Sequence, residues 1–230
     1  MFIALITGNF RNYIIFTSII IIHEIGHIIA GKLFYWKIKK IIILPFGGIT
    51  IFSNLINTNL IEQLIVTLSG PILQIIYFYF IKTNLNIDNT ITYYNYALLF
   101  FNLLPIHPLD GSKILYVILC YILPFKTTHI LLIIISFITS TICILILGHF
   151  DLIIYLTMII LIIKSIKEAI NHKYIFNKFL FERYAYNLNF KKIKYISNIN
   201  EMYLWCRHIF ISKKNITEKQ FLSKMFDNNT

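Results

Sequence analysis

The chain alternates between long apolar runs and short polar segments. Runs of roughly 20 apolar residues are typical of helices that cross a lipid bilayer. The pattern indicates five runs, and prolines in the third allow either one kinked helix or two half-helices. The runs cover about Tyr13–Phe34, Ile61–Ile81, Tyr93–Leu123, Ile130–Leu147 and Leu152–Ile163. We therefore predict an all-α polytopic membrane protein with about five to six transmembrane helices.

The segment Ile38–Asn54 has a different pattern. Apolar and β-branched residues lie on both sides of a turn formed by Pro45-Phe46-Gly47-Gly48. This arrangement predicts two short strands. We expect a small membrane-associated β-hairpin, and an ordinary interfacial loop is the alternative.

Composition supports a membrane protein. Hydrophobic residues make up 57% of the 230 residues and charged residues 13%, with a mean hydropathy of +0.71. Soluble domains carry about 25% charged residues. Lysines cluster after the first and fifth runs, which places those ends in the cytosol.

The net charge of +11 is concentrated at the C-terminus. Residues 171–230 hold eleven Lys or Arg and four Asp or Glu, a net +7. We therefore divide the chain into a membrane domain, residues 1–170, and a short basic cytosolic tail, residues 171–230. Such a tail is either solvated or contacts anionic lipid headgroups or an acidic partner. No motif for nucleic-acid recognition accompanies the charge, so no nucleic-acid partner is expected.

The first run contains the motif His23-Glu24-Ile25-Gly26-His27. On a helix, residues four apart lie on one face about 6 Å from each other, so both imidazoles can bind one zinc ion. The glutamate between them can reach a water molecule at the metal. Burying these groups in hydrocarbon costs several kcal/mol unless they have partners. The alternative is a polar cluster that joins helices.

A catalytic zinc needs a third protein ligand. The candidates lie in the segment Asn102–Gly111, where prolines break the third run. Such a break is tolerated in a membrane only where it faces protein or water. Asp110 and His107 both remain possible ligands at this point. Asn102 is either a hydrogen-bond donor to substrate backbone or a helix-to-helix contact.

The two motifs together resemble the site-2 proteases, the intramembrane zinc metalloproteases of peptidase family M50. The likeness is greatest to the branch that processes a sigma-factor precursor of the pro-sigma-K type during sporulation. It covers about residues 1–195 and includes Leu44–Gly48, Ser69–Pro71 and Lys173–Tyr184.

The resemblance implies a zinc endopeptidase in which Zn²⁺ is held by His23, His27 and Asp110, with Glu24 as the catalytic base. It thereby favours Asp110 over His107. The hairpin and the proline-broken segment become candidates for substrate contact. The residues concerned are Asn102, Pro105, Pro45, Gly47 and Gly48.

The resemblance also implies a multi-pass protein of the cell membrane, in sporulation the mother-cell membrane around the forespore. The implied partners are a membrane-associated protein substrate and inhibitory membrane proteins. Self-association of the chain is a separate hypothesis. Members of the branch carry a further helix before the motif and a C-terminal nucleotide-binding CBS domain. Here Met1–Phe10 precedes the motif run, and the tail is about half the size of that domain. A non-proteolytic membrane transporter or scaffold that binds metal is the alternative function.

Overall fold

The computed structural model describes residues 10–44, 47–53, 56–85, 87, 89–147, 152–186, 188–211 and 215–227. Most of these residues are helical. Helices α1 (Phe10–Leu33), α2 (Leu60–Asn84) and α5 (Phe125–Leu147) are long and apolar enough to cross a membrane. A largely helical membrane architecture is therefore confirmed.

The third predicted run forms two helices rather than one kinked helix. Helix α3 (Asn89–Asn102) ends where the proline-containing segment begins, and helix α4 (Asp110–Ile122) starts directly after it. The intervening turns contain a cis peptide bond between His107 and Pro108. Pro105 and Pro108 cannot donate backbone hydrogen bonds, which explains why the helix stops here.

The predicted hairpin is present. Strand β1 (Ile38–Leu44) pairs antiparallel with β2 (Gly47–Phe52), with Ile41 opposite Thr50. In β2, Thr50 is buried whereas Ile51 is exposed, as expected from the alternation of side chains along a strand. The hairpin therefore presents Thr50 to the helices.

Helices α1 and α2 approach each other closely at two glycines. A side chain on Gly26 would come within 2.5 Å of the Ser69 carbonyl oxygen, and one on Gly70 would collide with the imidazole of His27. Only glycine leaves room at both positions. The Ser69-Gly70-Pro71 sequence therefore makes the space that His27 occupies.

The final long helix, α6 (Leu152–Ala185), continues well beyond the predicted end of the fifth run at Ile163. Its C-terminal part packs against a folded unit that follows it. In that unit β3 (Ile193–Ile196) pairs parallel with β4 (Arg207–Phe210), and β4 pairs antiparallel with β5 (Ile216–Thr217). Helix α7 (Glu218–Asp227) completes the unit.

No strand is predicted in this region from the sequence, because strands of two to four residues give almost no periodic signal. The unit nonetheless has its own apolar core, shared with α6. Each such side chain contributes about 1.5–3 kcal/mol when fully buried. The core includes Phe179, Leu180, Met202, Leu204, Phe210 and Leu222.

Arg183 near the end of α6 connects this unit to the membrane helices. Its side chain is fully buried and all five of its N–H groups donate hydrogen bonds. One goes to Asn57, in the loop between the hairpin and α2. The acceptors are Asn57 Oδ1 at 2.9 Å, Glu218 Oε1 at 2.9 Å, and the carbonyls of Cys206 at 2.9 Å, Tyr203 at 2.7 Å and Leu204 at 2.8 Å.

Candidate metal centre

Helices α1 and α4 bring His23, His27 and Asp110 together. The Nε2 atoms of His23 and His27 lie 3.0 and 2.9 Å from the same oxygen of Asp110, Oδ2. The two Nε2 atoms are 3.2 Å apart. All three side chains are buried. Residues more than 80 positions apart in sequence thus converge on one point.

Hydrogen bonds at the opposite ring nitrogens determine the tautomers of the neutral histidines. His23 Nδ1 lies 2.8 Å from Gln74 Oε1, and His27 Nδ1 lies 2.8 Å from the Val66 carbonyl oxygen. Both of these oxygens can only accept a hydrogen bond, so each Nδ1 carries the proton. The lone pair of each Nε2 therefore faces the Asp110 carboxylate.

This arrangement fits a zinc ion. Three acceptors that face one another repel unless a cation lies between them. With bonds of about 2.0–2.1 Å, the ligand atoms of a tetrahedral zinc are roughly 3.3 Å apart. The observed separations of 2.9 to 3.2 Å are close to that value. Two imidazoles and a carboxylate are also a donor set found in catalytic zinc sites.

The position of Asp110 depends on the break between α3 and α4. Asp110 is the first residue of α4, and its second oxygen, Oδ1, accepts a hydrogen bond from Lys113 Nζ at 2.9 Å. A side chain on Gly111 would collide with the Leu103 carbonyl oxygen. The glycine after Asp110 therefore allows the start of α4 to pack against the preceding turn.

Glu24 is buried and is held at one oxygen only. Its Oε2 accepts a hydrogen bond from Thr50 Oγ1 of the hairpin at 2.5 Å. Its Oε1 is buried and has no hydrogen-bond partner among the residues that the structure describes. A carboxylate that is oriented through one oxygen, while its other oxygen has no hydrogen-bond partner, is suited to accept a proton from a water molecule.

A cavity of about 430 Å³ opens beside these groups. His27 and Thr50 contribute to its wall, and most of the remaining lining is apolar. Glu168, in the same wall, lies 3.1 Å from His129 Nε2 and 3.7 Å from His107 Nε2. The aromatic lining residues are Trp36, Phe52, Tyr116 and Phe125.

The other residues singled out from the sequence lie outside the His–His–Asp cluster. His107 faces the cavity and pairs with Glu168. The residue that meets the two motif histidines is Asp110. Asn102 is buried at the end of α3, and its Nδ2 has no partner within the described segments. The Pro105 carbonyl oxygen accepts from Ser136 and Thr139 of α5.

The candidate substrate contacts in the hairpin are only partly described. Gly47 and Gly48 belong to β2 and pair with Leu44 and Ile43. Pro45 lies outside the residues that the structure describes.

Sequence reasoning missed four groups that support the site. Thr50, Gln74, the Val66 carbonyl and Lys113 all contact the motif residues directly. Lys113 follows Asp110 by three positions on a helix, a spacing that predicts contact. Gln74 could have been noticed as a polar residue inside an apolar run. The contact of Thr50 depends on tertiary structure alone.

Comparison with known proteins agrees with this geometry. Residues 12–85 match the model of peptidase family M50. The chain is 34% identical over 197 residues to the stage IV sporulation protein FB of Bacillus subtilis. The aligned residues make up 79% of this chain and 67% of that protein. The chain belongs to peptidase family M50, the site-2 proteases. It is therefore a membrane metalloendopeptidase.

Two further similarities are consistent with this assignment. A zinc metalloprotease of Methanocaldococcus jannaschii, MJ0392, is 31% identical over 116 residues, which is 46% of this chain and 33% of that protein. The solved structure of a site-2 protease from the same organism superposes with a TM-score of 0.55 at 24% identity, covering 68% of this chain and 76% of that one. The family implies zinc, and the His–His–Asp cluster supplies suitable ligands.

Proposed function

We propose that His23, His27 and Asp110 are the zinc ligands of this M50 peptidase and that Glu24 is its general base. The observation that carries the proposal is the convergence of the Nε2 atoms of His23 and His27 on one buried carboxylate oxygen, with separations of 2.9 to 3.2 Å. When bound, zinc supplies a Lewis acid that polarises a carbonyl and acidifies a water molecule.

The protein groups then supply the proton transfers. Glu24 Oε1 accepts a proton from the attacking water while Thr50 holds Oε2 in place. The same carboxylic acid donates that proton to the departing amine after the peptide bond opens. Lys113 keeps Asp110 oriented through the oxygen that does not face the histidines.

We further propose that substrate binds in the cavity as an extended segment, because peptide bonds within a helix are shielded. Within the described residues, each hairpin strand pairs only with the other, so each has an unpaired edge. Such an edge can bind a peptide by strand addition. Gly47 and Gly48, together with Pro45, are the proposed contacts in the hairpin. In the proline-broken segment, the proposed contacts are Pro105 and the unpartnered amide of Asn102.

The chain is proposed to cross the membrane five to six times. The three apolar helices would be joined by α3 and α4, as two half-spans, and by the N-terminal part of α6. Residues 1–170 would form the protease domain, and residues 171–230 would lie in the cytosol with the basic loops.

The proposed substrate is a membrane-associated precursor protein, in particular a pro-sigma factor of the pro-sigma-K type processed during sporulation. The support is the 34% identity to a stage IV sporulation protein over 79% of this chain. Inhibitory membrane proteins and a location in the mother-cell membrane are proposed on the same basis. Self-association is a separate proposal.

Co-expression with candidate membrane-bound precursors tests the proposal. Wild type should release a shortened product, whereas Glu24→Gln should retain zinc but yield none. Glu62→Gln, a half-buried carboxylate outside the site, is the matched control and should cleave normally. Cleavage by Glu24→Gln at the wild-type rate would exclude Glu24 as the base. Deleting Pro45–Gly48 without loss of cleavage would exclude the hairpin as a substrate contact.

A further inference from the structure

Gln74 is a fully buried polar side chain on α2, surrounded by apolar residues of a membrane-crossing helix. It contacts His23 on one side and Asn95 of α3 on the other. We propose that Gln74, oriented by Asn95, is a positioning residue that fixes the tautomer and ring orientation of His23 for zinc binding. This inference rests on the metal site proposed above.

The direction of the Gln74 amide is set by chemistry. Its Nε2 lies 3.2 Å from the Asn95 backbone carbonyl oxygen and 3.0 Å from Asn95 Oδ1. A carbonyl oxygen only accepts, so the amide nitrogen must face α3 and Oε1 must face His23. The 2.8 Å contact between Oε1 and His23 Nδ1 then requires the proton to be on Nδ1.

This relay makes the two histidines different. The tautomer of His27 is set by a backbone carbonyl, that of Val66, which no side-chain substitution can remove. The tautomer of His23 is set by a side chain that is itself held by a side chain of a third helix. His23 is therefore the ligand whose alignment depends on replaceable groups. Such outer contacts to ligating histidines typically change metal affinity about 10–100-fold.

The test is zinc affinity of the purified full chain in detergent micelles, measured by competition with a chelator of known affinity. Gln74→Met keeps the length of the side chain but removes the amide, and it should weaken zinc binding about 10–100-fold. Gln74→Glu keeps an acceptor for His23 Nδ1, and its second oxygen can accept a hydrogen bond from the Asn95 amide once that amide turns over. It should therefore bind zinc within about tenfold of wild type. Asn95→Leu removes one of the two acceptors of Gln74 and should weaken binding less than Gln74→Met.

Tyr77→Phe is the matched control. The Tyr77 hydroxyl donates to Ser18 Oγ at 3.0 Å, so this variant also removes one hydrogen bond between α2 and α1, but away from the metal site. Its zinc affinity should equal that of wild type. The absorption spectrum of the cobalt-substituted protein gives a second readout, which should change in Gln74→Met and not in Tyr77→Phe.

Zinc binding by Gln74→Met within twofold of wild type would overturn the inference. A Gln74→Glu variant as weak as Gln74→Met would also overturn it, because packing rather than the hydrogen bond would then be responsible. Failure of the wild type to bind zinc would instead show that the metal site itself is wrong, and the inference would fall with it.

Discussion

Replacing Arg183 with methionine tests how the C-terminal unit is attached to the membrane helices. Methionine has a similar length but no donors, so five acceptors, four of them buried, each lose a hydrogen bond. Among them is the carboxylate of Glu218, which then keeps, within the described residues, only its hydrogen bonds from His208. Breaking a buried ion pair by removing one partner costs about 3–5 kcal/mol. The C-terminal unit should lose about that much stability.

Hydrogen exchange of peptides from β4 and α7, followed by mass spectrometry in detergent, measures this loss. Exchange by local opening follows the opening equilibrium. A loss of about 3–5 kcal/mol corresponds to exchange that is roughly 100-fold to several thousand-fold faster. Zinc binding should be unchanged, since the His–His–Asp cluster lies on α1 and α4.

Two comparisons make this prediction specific. Arg207→Met removes an exposed arginine of the same unit, which donates to the Leu188 carbonyl, and should change exchange little. Combining Arg183→Met with Glu218→Gln removes the uncompensated charge and should be less unstable than Arg183→Met alone. Wild-type exchange in Arg183→Met, or equal effects of the two arginine variants, would refute the reasoning.

Three further predictions concern the catalytic site and the C-terminal unit. Gly70→Ala should lower the cleavage rate by about 100-fold, because the added methyl group displaces the His27 imidazole; normal cleavage would contradict the packing described. Thr50→Val should lower kcat roughly 10- to 100-fold with zinc content unchanged, since it removes a hydrogen bond to the Glu24 carboxylate worth about 1.5–3 kcal/mol. Thr50→Ser should retain most activity, and equal rates for the two Thr50 variants would exclude this role. Burial, outweighing a hydrogen bond with a carboxylate, lowers the pKa of His208 from its ordinary value of 6.5. Below about pH 6.5 the unfolded unit therefore binds more protons than the folded unit does. The stability of the folded unit should fall as the pH decreases through that value. Protease resistance of the unit at pH 8 and pH 5 measures this effect, which His208→Gln should reduce.

Acidification has a second effect on the C-terminal unit. Burial by itself would raise the pKa of Glu218, but the hydrogen bond with His208 and the charge of Arg183 outweigh it and hold the pKa below its ordinary value of 4.5. The stabilisation from Glu218 is therefore present above about pH 4.5 and is lost as the pH falls further. Loss of stability that begins near pH 6.5 in wild type should begin near pH 4.5 in His208→Gln.

Features that local chemistry controls could be predicted from the amino-acid sequence. Apolar runs of near-membrane length predicted the long helices, and the turn at Pro45–Gly48 predicted the hairpin. The spacing of His23 and His27 placed two imidazoles on one helical face, since four residues are close to one helical turn. Pro105 and Pro108 marked the break from which Asp110 emerges.

The contacts that complete the site between distant groups depend on tertiary structure. Asp110 rather than His107 meets the motif histidines because of the path of the chain through residues 103–109, which no local pattern specifies. Thr50 and Gln74 reach Glu24 and His23 from separate elements, so their contacts carry no sequence periodicity. The C-terminal sheet is set by the buried Arg183 and by long-range packing, because its strands are too short to specify themselves.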